Sequence, residues 1–145
     1  MNSEITTWSN QKAWRKKGQQ SNVLIVDSSA TTRILVANMF IDCGIDADTA
    51  GDSTEAVLKY RIFNFDMVIV EVNMEALAGI HIAKAIRNAP TSSENPLLIY
   101  ALTDNERQES IKKMKDAMMD GFLRKPITIE AIEKIAKHHC LSSEY

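Results

Sequence analysis

Four polar residues stand at the ends of the four short apolar runs that most strongly predict β-strands. They comprise two carboxylates, a hydroxyl and an ammonium group, namely Asp27, Glu71, Thr103 and Lys125. The runs are rich in β-branched residues, which is typical of strands buried on both faces. In parallel sheets, ligands bind in the crevice at the carboxyl ends of the strands. The sequence therefore predicts one site in which acidic, cationic and hydroxyl side chains meet.

The elements that must position these residues alternate strand and helix five times. The predicted strands lie near residues 23–26, 45–49, 67–70, 97–102 and 122–125. Helix starts are predicted at Ser28 or Ser29, Asp52, Asn105 with Gln108, and Thr128, and Gly44 is predicted to end the first helix. Short buried strands that alternate with helices indicate a doubly wound α/β fold with a parallel five-stranded sheet.

Composition indicates one globular domain with no strong charge preference. The chain has 145 residues, a net charge of -2, 45% hydrophobic and 25% charged residues. This balance predicts neither nucleic acid nor an anionic membrane as a partner. Cys43 and Cys140 are not in a CxxC motif, and no apolar run approaches the ~20 residues of a membrane span. A polar start without a signal peptide leads us to expect a cytoplasmic protein.

Three segments are expected. They are a polar and basic N-terminal tail at 1–21, a domain at 22–140 and a C-terminal tail at 141–145. Trp8 and Trp14 are the large apolar residues of the first tail, and basic residues follow at 15–17. We expect a disordered or lightly docked leader there, and the alternative is a short amphipathic segment that binds a partner.

Four segments together resemble the receiver domain of bacterial two-component response regulators, the CheY-like family. They lie at residues 23–27, 66–74, 101–103 and 121–126, in the family's order and at suitable spacings. The resemblance covers about residues 22–138. It implies a flavodoxin-like (βα)5 fold with three αβα layers.

The resemblance also implies a chemistry. In the family, an aspartate accepts a phosphoryl group beside Mg²⁺, which prefers hard oxygen ligands and neutralises the phosphoryl charge. The corresponding positions here are Glu71 for the acceptor, Asp27 and Ser28 for the acidic pocket, Asn73 for a backbone carbonyl ligand, Thr103 and Phe122 for the switch, and Lys125 for the lysine.

The departures from the family pattern indicate an atypical pseudo-receiver. Glu71 replaces the acceptor aspartate, and Ser28 replaces the second acid of the pocket. The extra methylene moves the Glu71 oxygens by ~1.5 Å, and an error of about 1 Å can cost roughly 100-fold in rate. We expect no enzymatic activity and no bound metal. If the pocket still binds Mg²⁺, its residual ligands are Asp27, Glu71 and Asn73.

Glu71 has two interpretations at this stage. It either imitates a phosphorylated aspartate, by pairing with Lys125 and accepting a hydrogen bond from Thr103, or satisfies Lys125 in an inert site. We expect a stand-alone domain that acts through protein contacts. The resemblance places its partner, a histidine kinase, a downstream target or a second copy, on the face around Asn105–His138. The alternatives are a working phosphoacceptor and an adaptor that binds through its N-terminal tail.

Other candidate sites are weak. His138, His139 and Cys140 do not share a helical face and predict an exposed helix end rather than a metal site. Met114, Met118 and Met119 predict core packing for at least one of them, with an adaptable surface as the alternative. The sequence has no phosphate-binding glycine loop and no arguable nucleophile triad.

Overall fold

A computed structural model describes residues 5–12, 20–72, 78–89, 97–104 and 107–141. The strands are β1 (Ile5–Thr7), β2 (Asn22–Val26), β3 (Asp46–Ala50), β4 (Met67–Glu71), β5 (Leu98–Thr103) and β6 (Gly121–Arg124). The helices are α1 (Ala30–Asp42), α2 (Ser53–Ile62), α3 (Ala78–Asn88), α4 (Gln108–Asp116) and α5 (Ile129–His138). The predicted segments at Trp14, 15–17, Asn73 and Asn105 lie outside the described residues.

The sheet has the strand order β1-β6-β5-β4-β2-β3. The strands from β2 to β6 pair in parallel, whereas β1 pairs antiparallel with β6. The predicted doubly wound α/β fold is confirmed. The predicted number of five strands was wrong, because part of the expected N-terminal tail forms a sixth strand. Ile5–Thr7 is rich in β-branched residues, yet three residues are too few for a pattern to predict a strand. Only the folded domain supplies the open edge of β6 with which it pairs.

Alternate residues of each central strand are buried on opposite faces of the sheet. Leu24, Val68 and Ile99 pack against α2, α3 and α4 in one apolar cluster. Ile25 and Ile69 pack against α1 and α5 in the other. Two buried faces produce the expected αβα layers and hold the strand ends rigidly in register. Within the described residues, no helix is long and apolar enough to cross a membrane.

Local signals determine most helix ends. The side chains of Ser29, Asp52 and Thr128 accept hydrogen bonds from backbone amides at the starts of α1, α2 and α5. Gly44 follows α1 with a φ of 82°, which glycine adopts without steric cost. The prediction for α4 was wrong, because Gln108 is already helical and the N-cap position is held by Arg107, whose side chain makes no capping hydrogen bond to the helix.

Candidate functional site

The four strand-end residues lie along one edge of the sheet, because β6, β5, β4 and β2 are successive parallel neighbours. Asp27 directly follows β2, and Glu71 is the last residue of β4. Thr103 ends β5, and its carbonyl accepts a 2.8 Å hydrogen bond from the amide of Lys125, just beyond β6. The sheet topology thus brings two carboxylates, a hydroxyl residue and a lysine to the same edge.

Glu71 is the centre of the polar contacts at this edge. Its Oε1 accepts a hydrogen bond from the Ser28 hydroxyl at 3.0 Å. Its Oε2 accepts one from the Lys125 ammonium at 3.1 Å. Lys125 Nζ also lies 3.8 Å from Asp27 Oδ2, so one cation is shared between two carboxylates. Both oxygens of Glu71 are therefore already engaged within the protein.

The two carboxyl groups differ in pKa because their surroundings differ. Burial raises the pKa of Asp27, and the negative charge of Glu71 raises it further, against the opposing effects of the Ser29 amide and Lys125. Burial also acts to raise the pKa of Glu71, but hydrogen bonds from Lys125 and Ser28 outweigh it and lower that pKa. Glu71 therefore holds its negative charge more readily than Asp27.

A cleft of about 320 Å³ opens beside these carboxylates. Asp27, Ser28 and Glu71 line it together with Gly51, Asp52 and the first turn of α3. Gly79 of α3 packs directly against β4, since a Cβ at that position would lie 2.0 Å from the Glu71 carbonyl oxygen. The absence of a side chain there allows α3 to approach the strand that carries Glu71.

Arg33 belongs to the site but was not predicted from the sequence. Its Nη1 donates a 3.0 Å hydrogen bond to the Asp27 carbonyl oxygen, and its guanidinium lies beside Gly51. Ser29 was predicted only as a cap, yet its amide also donates to Asp27 Oδ1 at 2.8 Å. Only the fold brings Arg33 back over the end of β2, because nothing in its sequence position marks it.

Neither of the two switch candidates lines the cleft. Thr103 is 1% exposed at the end of β5. Phe122 is 3% exposed, lies opposite Ala101 in the β5–β6 register and packs against Trp8 with 5.7 Å between ring centroids. The site thus joins Asp27, Ser28, Glu71 and Lys125 directly, whereas Phe122 belongs to a separate aromatic contact.

The oxygen donors of the cleft fit Mg²⁺ poorly. Asp27 Oδ2 is buried and accepts no hydrogen bond from the described part of the chain, so it is one available ligand. Both oxygens of Glu71 are bonded to Ser28 and Lys125, whereas Mg²⁺ requires near-ideal octahedral oxygen coordination. The described ranges contain no cluster of three or more His, Cys, Asp or Glu residues that could hold a metal.

Two predictions outside the cleft have different outcomes. Met114 is fully buried and Met119 is 5% exposed, which confirms a core role within the methionine cluster, whereas Met118 is 70% exposed. The prediction of an exposed helix end at His138–Cys140 was wrong for His139, because this residue is 0% exposed. His139 packs against Tyr100 and the N-terminal segment, and a local helical pattern shows neither neighbour.

Comparison with known families agrees with this fold. Residues 23–137 match the family model of the response regulator receiver domain. The chain therefore belongs to this family and is a receiver domain of two-component signalling.

Several relatives carry the same domain. Chemotaxis protein CheY of Pseudomonas aeruginosa is 30% identical over 117 residues, which span 79% of this chain and 93% of that protein. Sensor protein EvgS of Escherichia coli K12 is 28% identical over 115 residues, but the match spans 9% of its length. The crystallised chemotaxis protein CheY4 of Vibrio cholerae has 30% identity and a TM-score of 0.74, covering 83% of this chain and 99% of that chain.

Proposed function

We propose that this receiver domain signals through phosphorylation-independent protein contacts, as an atypical pseudo-receiver that is not an enzyme. One observation carries the proposal: the Glu71 carboxylate already bonds Ser28 at 3.0 Å and Lys125 at 3.1 Å. Glu71, the residue proposed for the acceptor position, is thus held in place by hydrogen bonds from its neighbours.

Phosphoryl transfer to Glu71 is disfavoured for two reasons. Each carboxylate oxygen keeps a second lone pair, but a charge-assisted hydrogen bond, about twice as strong as a neutral one, stabilises the negative charge on the oxygen and so makes it a weaker nucleophile. The second acid that would help to hold Mg²⁺ is replaced by Ser28. The hydroxyl of Ser28 donates a hydrogen bond to Glu71 instead of binding the metal ion. The cleft therefore stabilises a resting carboxylate rather than a reacting one.

The same contacts support the imitation of a phosphorylated acceptor. Glu71 extends one methylene further than aspartate and places a negative oxygen against the Lys125 ammonium. Phe122 is 3% exposed, and this burial supports the proposal because the family resemblance associates an inward aromatic side chain with the active state. In this proposal the active-like arrangement is permanent, and binding is regulated by other means.

The partner is proposed to be another cytoplasmic signalling protein, a histidine kinase or a downstream target. In one solved structure, the receiver domain of yeast Ssk1 is bound to the histidine phosphotransfer protein Ypd1, and its 23% identity with this chain supports the fold alone. On this chain the proposed face is the surface around Asn105–His138, formed in its described part by α4, β6 and α5. A homodimer through that face is included in the proposal.

The test is an amide NMR titration of the full chain with Mg²⁺, followed by beryllofluoride, which mimics a phosphoryl group. We expect no saturable shifts at Asp27, Glu71 and Thr103. Saturable shifts there that spread to Phe122 and α4 would overturn the proposal, because they would show a working switch.

A double variant provides the matched control for this titration. Ser28→Asp with Glu71→Asp restores the second acid and the shorter acceptor that the family resemblance calls for. We expect this variant to bind Mg²⁺ and to respond to beryllofluoride, whereas the parent chain does not. A silent control would show that the two substitutions do not account for the altered site.

Imitation by charge is tested with Glu71→Gln. Glutamine keeps the length and one oxygen but removes the charge that attracts Lys125. We expect amide shifts at Lys125, Thr103 and Phe122, and loss of binding to any partner that the parent chain retains. Unchanged shifts and binding would show that the Glu71–Lys125 pair leaves the state of the domain unaffected.

A further inference from the structure

The segment Ile5–Lys12, here called the N-terminal arm, lies across one end of the domain. Its first three residues pair with β6, Ile5 opposite Leu123 and Thr7 opposite Gly121. The Trp8 amide then donates a 2.7 Å hydrogen bond to the Asp120 carbonyl. Further along, Lys12 donates to the carbonyl oxygen of His138 at the end of α5. The arm thus makes regular backbone contacts along an extended path.

A buried polar chain anchors the arm at Thr7. The Thr7 hydroxyl lies 2.5 Å from the Tyr100 hydroxyl, which lies 2.6 Å from His139 Nε2. His139 Nδ1 donates to the carbonyl oxygen of Gln11, which returns the chain of hydrogen bonds to the arm. Tyr100 and His139 are both 0% exposed. Buried polar groups need hydrogen-bond partners. The arm supplies both end partners of this series of hydrogen bonds, the Thr7 hydroxyl for Tyr100 and the Gln11 carbonyl for His139.

An aromatic contact holds the next residue. The Trp8 indole is tilted by 53° against Phe122, and the Lys115 ammonium lies 5.2 Å from the indole centroid. Such a cation over an indole ring is an attractive arrangement. The hydroxyl of Thr7 and the ring of Trp8 are therefore each recognised by side chains of the folded domain.

Gly121 lets the arm approach β6 closely. A Cβ at this position would lie 2.1 Å from the Thr6 carbonyl oxygen and 2.7 Å from the Tyr100 ring. Backbone pairing at a sheet edge, combined with pockets for particular side chains, is the general form of peptide recognition by strand addition.

From these contacts we infer that the β6 edge is a peptide-binding site, occupied here by the chain's own N-terminal arm. The partner that fits it is an extended segment of another protein that carries a hydroxyl residue followed by an aromatic residue, as in Thr7–Trp8. Such a segment displaces the arm and pairs antiparallel with Gly121–Leu123.

The site lies on the α4, β6 and α5 face proposed above for partners, so it rests on that part of the proposed function, but it does not depend on a phosphoryl group. It is nevertheless connected to the cleft through one strand. Phe122 contacts the arm, and Lys125, three residues further on, bonds Glu71. Exchange of the arm for a partner strand thus acts on the strand that leads into the Glu71 contact.

A labelled peptide with the sequence of residues 5–12 tests the inference by fluorescence anisotropy against full-length chains. In the parent chain the tethered arm competes at an effective concentration of the order of millimolar, so we expect little binding. The variant Thr7→Val with Trp8→Ala loses both side-chain anchors in its arm and leaves the edge accessible. We expect its apparent affinity for the peptide to be at least tenfold higher than that of the parent chain.

Two controls make the outcome specific. A peptide with the same two substitutions is expected not to bind the variant, and a chain with Asn10→Ala, at an exposed arm residue, is expected to behave like the parent. Equal binding of both peptides, or equal affinity of the variant and the parent, would overturn the inference.

Amide spectra report whether the double variant keeps its fold. If it does not, the single variant Trp8→Ala replaces it. Saturable shifts in the beryllofluoride titration would overturn the proposed function but would leave the peptide-binding measurements unchanged.

Discussion

Asp27 and Glu71 show how two carboxylates in one cleft acquire different properties. Glu71 bonds a hydroxyl and an ammonium group directly, whereas Asp27 Oδ2 lies 3.8 Å from Lys125 and accepts no hydrogen bond from the described residues. The Ser29 amide bonds Asp27 Oδ1 at 2.8 Å, but a buried carboxylate whose second oxygen lacks a close hydrogen bond still costs folding free energy. Because burial raises the pKa of Asp27, its ionised form lowers the stability of the folded domain, as is common for residues of functional sites.

We predict that Asp27→Asn stabilises the domain at pH 7 by about 0.5–2 kcal/mol. The asparagine oxygen retains the hydrogen bond from the Ser29 amide, and the repulsion from Glu71 disappears. Burial raises the Asp27 pKa in the folded state, so the penalty exists only at pH values above its ordinary value of about 3.9. The gain should therefore shrink as the pH falls towards 4.

Urea unfolding at pH 7, 5.5 and 4.5 measures this difference. The control is Asp116→Asn, which changes an exposed residue whose pair with Lys112 is at the surface, where we expect a change below about 0.5 kcal/mol. A destabilised Asp27→Asn chain at pH 7 would contradict this account of the pair.

At the scale of elements, the position of Glu71 depends on how closely α3 packs against β4. Gly79→Ala places a methyl group where the Glu71 carbonyl oxygen lies only 2.0 Å away. We predict a loss of roughly 1–3 kcal/mol of stability, the usual cost of overpacking, with amide shifts at Glu71 and Val72.

Thermal unfolding and amide spectra check this prediction. The neighbouring Ala78→Ser is the matched control, because Ala78 is exposed in the same turn and should change stability by less than about 0.5 kcal/mol. Equal melting temperatures for the two variants would show that α3 can shift without cost.

The first helix shows the limit of a pattern at this scale. Helical spacing of apolar residues predicted α1, and the helix forms over Ala30–Asp42. Yet Ile34 and Leu35 are 54% and 53% exposed, while Val36, Ala37 and Phe40 are buried. Apolar residues occur around most of this helix, so its periodicity predicts a helix but does not select the face that packs on the sheet.

At the scale of the whole molecule, His139 links the N-terminal arm to the C-terminal end of α5. Burial lowers its pKa, and neighbouring His138 and Lys12 lower it further, against the Gln11 carbonyl and Asp120. The folded state then binds this proton less readily than the unfolded state. Stability from His139 is thus complete above its ordinary pKa of about 6.5 and is lost as the pH falls below that value.

We predict that the parent chain loses up to about 1.4 kcal/mol of stability per pH unit below pH 6.5 from this group. Urea unfolding at pH 7.5, 6.5 and 5.5 gives the slope, and His139→Gln should reduce it. His81→Gln, at an exposed helical residue, serves as the control and should retain the slope of the parent. Parallel slopes for all three chains would contradict the role of His139.

The sequence by itself determined the alternating elements and the polar strand ends. Buried strands need runs of apolar residues, and caps need particular side chains, so both leave local patterns, as at Val23–Val26 and Thr128. The parallel sheet then required Asp27, Glu71, Thr103 and Lys125 to share one edge. The family resemblance predicted the acceptor position for Glu71.

Only the tertiary structure decided the contacts between distant segments. The arm pairs with β6 because the folded sheet offers an edge there, and His139 is buried because Tyr100 and Gln11 lie against it. Arg33 reaches the backbone of Asp27 because α1 turns back over β2. These contacts join residues without a shared periodicity, and their free energy arises only when the domain is assembled. Local sequence patterns therefore do not record them.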